Sequence, residues 1–119
     1  LVPVEPHLYT LETLPKLATM LKLAGDVPAL FVVTKAAVQG KEGQDAAAFI
    51  AAQGFAVCPV TLHLRAAHRH AGNLGQTAQE YEPKGKAAEE SLQLYMYTIQ
   101  LLTKKGARDG QAKPAHARA

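Results

Sequence analysis

A chain of 119 residues, 48% apolar and without tryptophan, carries the material of one domain at most. No run approaches the roughly 18 apolar residues that span a bilayer, and the first residues lack the basic-then-apolar pattern of a secretion signal. The net charge of +3 is uneven: Lys104, Lys105, Arg108, Lys113 and Arg118 face Asp109 alone, so residues 1–103 are close to neutral.

The single cysteine, Cys58, excludes a disulfide framework within the chain and makes a reducing cytoplasm the expected setting. It sits in an apolar run and reads as a small buried hydrophobe. After Thr103 there is Gly, Ala, Gln and Pro but no large apolar residue, so 104–119 read as a basic, flexible tail. Such a tail can hold nucleic acid loosely through phosphates, or simply be solvated.

In chain order, Leu1 to Val4 reads as a short buried strand that ends at Glu5, because Pro6 disfavours helix there. Leucines 11, 14, 17 and 21 share one helix face, with Thr10 a candidate cap. Pro15 must lie in the first turn, which sets the start between Thr10 and Thr13, and Gly25 is a natural stop. Ala29 to Thr34 is β-branched and continuously apolar, as in a strand covered on both faces. Lys35 to Gly43 reads as a loop, Asp45 to Gln53 as an Ala-rich helix closed by Gly54, and Phe55 to Val60 as a third buried strand. A basic, His-rich helical segment follows. The final helix is expected from about Pro83–Gly85 to Thr103, with Ala88, Leu92, Tyr95, Ile99 and Leu102 as the stripe packed on the sheet.

Strands alternating with helices of this length imply parallel βαβ units with right-handed crossovers. The expected fold class is therefore α/β, a partial doubly wound parallel sheet of three strands with flanking helices. Three strands make about half of such a sheet. The apolar opening without an initiating Met suggests a segment of a longer chain, with the missing neighbours upstream of residue 1.

No stretch is a catalytic motif by itself. His63, Arg65, His68, Arg69 and His70 are the densest basic cluster, yet no carboxylate or thiolate lies within it to complete a metal site. The cluster reads either as a solvated helix face or as a phosphate contact. In an open α/β sheet ligands sit beyond the carboxyl ends of the strands, which here are Glu5-Pro6, Thr34-Lys35 and Pro59-Val60-Thr61. Thr34, Thr61 and Pro59 could equally do no more than end strands.

Several pieces in order resemble the C-terminal half of ParA/MinD-type (deviant Walker) ATPases, plasmid-partition ParA above all. They are Leu1-Val2-Pro3-Val4-Glu5-Pro6, Phe31-Val32-Val33-Thr34-Lys35, Pro59-Val60 with Leu62, Arg65 and Ala67, Gly75-Gln76-Thr77 with Glu80, and Pro83-Lys84 with Lys86-Ala87-Ala88-Glu89-Glu90. The resemblance covers residues 1–103 and implies a P-loop NTPase-like domain. It implies a cytoplasmic, nucleoid-associated parent that binds ATP or ADP with Mg, forms a homodimer in the ATP state and binds DNA without sequence preference. Its partner would be a ParB-like centromere-binding protein, and no membrane would be involved. On the same grounds Thr34, Lys35, Pro59, Val60 and Thr61 would border the adenine and ribose, and Arg65 would contact DNA. Arg69, Lys84 and Lys86 join the DNA set on charge alone. The family's Gly-rich phosphate-binding loop and Walker B carboxylate have no counterpart in this sequence, so these residues alone are expected not to hydrolyse ATP. The alternative is a non-catalytic half-domain that serves only as a partner- or DNA-binding module.

Overall fold

The structure, a computed structural model, describes the backbone of residues 1–116 and the side chains through Lys104 apart from Tyr9. Residues 117–119 lie outside the described set; of the expected basic tail over 104–119, the backbone is described to His116 and the side chains only at Lys104.

Three strands, β1 (Val2–Val4), β2 (Leu30–Val33) and β3 (Ala56–Val57), form one sheet in the order β1-β2-β3. Both pairings are parallel, with Val2 opposite Phe31, Val4 opposite Val33 and Leu30 opposite Ala56. Parallel neighbours need a crossover between them. Here α1 (Leu8–Leu11) and α2 (Leu14–Leu23) connect β1 to β2, and α3 (Glu42–Ala52) connects β2 to β3. Beyond the sheet come α4 (Ala66–Asn73), α5 (Ala78–Tyr81) and α6 (Lys86–His116). The α/β class with a parallel three-stranded sheet is as the sequence reads.

The middle strand carries the core. Phe31, Val32 and Val33 are all buried, as a strand covered on both faces requires. Val4, Leu14, Ala36, Ala46 and Ile50 close around Phe31 and Val33. The Phe55 ring tilts against Phe31 at 4.5 Å between centroids, and aromatic pairs at this range add stability beyond their buried area.

Several boundaries differ from the sequence reading, each for a physical reason. The first helix divides in two, and Pro15 occupies the opening turn of α2, where its missing N–H costs nothing. Thr10 caps neither piece; Thr13 donates its hydroxyl to the Thr10 carbonyl instead. α3 begins at Glu42 rather than Asp45, with both acids in the first turn, where the helix dipole favours them. Gly43 fits there because it lies against Ala36: a Cβ would stand 3.1 Å from the Ala36 methyl and 3.4 Å from Thr61 Cγ2. β3 stops at Val57, not Val60, since Pro59 offers no ladder donor.

α6 departs most. It continues past Thr103 to His116, through Ala, Lys, Gln and Arg that favour helix and through Gly106, Gly110 and Pro114 that do not. Its inward face is also not the expected one. Ala87 and Ala88 are buried, and Glu90, Ser91, Leu94, Tyr97 and Thr98 are half-buried, whereas Leu92, Tyr95, Ile99 and Leu102 are exposed. The expected stripe lies about 100° around the helix from the face that packs.

Replacing Ile50 by Ala leaves a void between α3 and β2, and the expected loss is about 2–5 kcal/mol. Urea unfolding followed by circular dichroism measures it, and a loss below 1 kcal/mol would show a core looser than described.

Candidate functional site

The carboxyl edge of the sheet is assembled by main-chain geometry at the end of β2. Thr34 N–H donates to the Val4 carbonyl at 2.9 Å, extending the ladder one residue beyond β2. Lys35 then turns left-handed, with φ of 56°. A residue with a Cβ adopts that region at a cost of about 1–2 kcal/mol, so surrounding contacts must hold it there. The Lys35 ammonium lies 3.4 Å from the Glu5 carboxylate, and His7 Nε2 lies 3.3 Å from the same group. The hydrogen bond and charge of Lys35, and then His7, hold the Glu5 carboxyl below its ordinary range. Past this turn Ala37 N–H donates to the Glu42 carboxylate at 2.8 Å, which ties the loop to the start of α3.

The third strand reaches the same edge through a bulge. Cys58 N–H donates to Phe31 O at 2.7 Å, and the next ladder bond is Leu62 N–H to Val33 O at 2.9 Å. The chain thus spends four residues where β2 spends two, and Pro59-Val60-Thr61 are looped out. Proline starts the bulge because it has no N–H to give. Val60 N–H turns back to Cys58 Sγ at 3.4 Å. Burial pushes the Cys58 thiol up, with the Val60 bond opposing. After the bulge pairing resumes: Ala36 donates to Leu62 O, Leu64 donates to Ala36 O, and Ala36 and His63 form a parallel bridge.

The residues expected around a base and ribose are therefore neighbours on one edge. Thr34 and Lys35 end β2, while Pro59, Val60 and Thr61 form the adjoining bulge. Thr34, Val60 and Thr61 are half-buried; Lys35 and Pro59 are exposed. A separate cleft of about 350 Å³ beside Pro6 and His7 is lined by Leu8, Leu11, Ala46 and Phe49 together with Glu12, Glu42 and Asp45.

The four expected phosphate contacts divide. Arg69 on α4, Lys84 in the turn before α6 and Lys86 at its start are all exposed. Arg65 is committed elsewhere. Its guanidinium donates to Glu90 Oε2 at 2.8 Å, and the two side chains keep only 19% and 13% of their surface. Glu90 also accepts from the His63 ring at 2.7 Å and from the His63 backbone N–H at 3.1 Å. Arg65 Nε is buried and unpartnered. Arg65 and Lys86 share a cleft of about 400 Å³ with Glu82, so its lining is mixed in charge.

Glu90 is the partner that sequence reasoning missed, since 27 and 25 positions separate it from His63 and Arg65. The histidines were expected on one helix; His63 instead lies in the extended segment ahead of α4. A second omission was legible. Thr77 and Glu80 form a reciprocal capping box at the start of α5, and Thr-x-x-Glu is its sequence signature.

Among the described residues no three His, Cys, Asp or Glu side chains come together in a way that could hold a metal ion. No helix there is long and apolar enough to cross a membrane. No protein-family model matches this chain, and neither the curated proteins nor the solved structures contain a match.

Burial alone would raise the Glu90 pKa, but the Arg65 and His63 hydrogen bonds leave it below the ordinary carboxylate range. A folded-state pKa below the unfolded value of about 4.3 gives stability that is complete above that pH and lost as pH falls through the folded pKa. Glu90→Gln is therefore expected to be about 1–3 kcal/mol less stable at pH 7, the gap narrowing below about pH 4. Denaturant titrations at stepped pH measure it; a gap independent of pH would contradict the assigned ion pairing.

Proposed function

We propose that these residues are the C-terminal portion of a ParA-like ATPase that acts in plasmid or chromosome partition. The parent chain would dimerise with ATP and bind DNA without sequence preference, while a ParB-like centromere-binding protein prompts it to hydrolyse the nucleotide. The observation that carries the reading is the carboxyl edge. The left-handed Thr34-Lys35 turn and the Pro59-Val60-Thr61 bulge adjoin on a parallel sheet whose strands follow chain order. Open α/β sheets bind ligands at this edge, and the residues there are those the resemblance assigns to adenine and ribose.

The residues fit one end of a nucleotide. Pro59 and Val60 offer apolar surface, and Thr34 and Thr61 offer hydroxyls, which suits a flat base and a sugar. They do not fit the other end. Phosphates need a nest of backbone N–H groups at a helix start together with a lysine, and this sequence has no such loop. The triphosphate and its Mg would have to be held by other residues of the parent, and these 119 alone would not hydrolyse ATP. Nucleoid association would come from Arg69, Lys84 and Lys86, whose exposed charges suit phosphate contact with release of counterions. Arg65 would act through its hold on Glu90 more than through phosphate.

The alternative, a non-catalytic module that binds a partner or DNA, draws on the core that closes around Phe31 within these residues. Retention of the full-length product on random-sequence duplex at low salt separates the two. The partition reading expects Mg-ATP, not ADP, to raise retention, and Arg69→Glu with Lys84→Glu to lower it at least tenfold while a fluorescent ATP analogue binds as before. Retention indifferent to nucleotide would reject that reading and favour the module.

A further inference from the structure

The apolar stripe of α6 has no cover among the described residues. Leu92 is 52% exposed, Tyr95 63%, Met96 52%, Ile99 42% and Leu102 62%. These are large side chains on one face of one helix, and Leu94 to Thr103 contains no charged residue. A contiguous exposed apolar face of this kind marks an interaction surface.

The spacing identifies the partner's shape. Leu92, Tyr95, Ile99 and Leu102 recur at three, four and three residues, the a and d positions of a heptad seam, with Met96 beside them. Such a seam is completed by another helix with the same spacing. The stripe is also self-complementary when reversed, since antiparallel alignment about its centre sets Leu92 against Leu102 and Tyr95 against Ile99 in every layer.

Charge selects the direction. Glu89 lies exposed just before the seam, Glu90 being held by Arg65 and His63, and Lys104, Lys105 and Arg108 follow the seam. Reversed copies bring Glu89 of one α6 toward the lysines that end the other and oppose the two helix dipoles. Parallel copies would stack the basic ends together. We propose that α6 is a self-association surface, on which two copies of this chain pair antiparallel through Leu92, Tyr95, Ile99 and Leu102. The contact is isologous, so it closes at two copies. It involves no nucleotide and is distinct from the ATP-dependent dimer of the partition reading.

A two-heptad seam belongs with the small, reversible interfaces, below about 1,200 Å² in total. Sedimentation of the full-length product without nucleotide between about 10 and 200 µM, a range suited to that class, is expected to show a monomer–dimer equilibrium. Ile99→Lys should weaken it at least about tenfold without loss of helical circular dichroism, because Ile99 is not in the core. Direction is read by oxidation: a mixture of Leu92→Cys and Leu102→Cys chains should cross-link to each other, and neither should cross-link to itself. A monomer across the whole range overturns the proposal. So does cross-linking of each variant to itself, which would mean parallel pairing, and so does a monomer that adsorbs to lipid vesicles through the same stripe.

Discussion

One carboxylate ties the two parts of this fold together. Glu90, in the second turn of α6, receives hydrogen bonds from the Arg65 guanidinium and from both the ring and the backbone of His63. Its position fixes the extended segment that pairs with Ala36, and through it the bulge at the carboxyl edge. β3 itself has only two residues of strand pairing, too few to hold such a bulge in register. Charge-assisted bonds in a half-buried setting are the stronger kind, and three of them converge here. Arg65 Nε is left without a partner in the process, a cost that the other bonds offset.

The same tie decides how the edge can work. On one side, β2 ends in a left-handed lysine held near Glu5; on the other, a proline-initiated bulge exposes Pro59 and half-buries Val60 and Thr61. Neither feature belongs to a regular strand, and both occur where ligands of open α/β sheets bind. Because Thr61 abuts Gly43 while Leu62 pairs with Val33, the bulge cannot shift without disturbing α3 and β2 together.

Much of this was legible in the sequence, for local reasons. The Phe31-Val32-Val33 run could only be a strand covered on both faces, and Pro15 and Gly54 mark helix ends through backbone chemistry that does not depend on neighbours. What stayed hidden depends on contacts distant in sequence. Nothing in His63 or Arg65 announces Glu90, and a basic cluster looks the same whether it is solvated or locked to a carboxylate. The stripe of α6 is the instructive error. Its period holds and its face does not: of the residues expected to pack only Ala88 is buried, next to Ala87, while the four large ones are exposed. The two alanines let the helix start approach its neighbours closely, and the larger residues face outward.

The account rests on Glu90 holding the segment from Leu62 to Leu64 against the end of β2. Native-state hydrogen exchange, residue by residue, on the wild-type chain and on Glu90→Ala tests this most directly. The expected result is loss of protection at the His63 and Leu64 amides by at least about tenfold, a change of roughly 1.4 kcal/mol, with Phe31, Val32 and Val33 still protected. Unchanged protection from Leu62 to Leu64 in the variant would mean that the edge stands without the carboxylate, and would contradict the account.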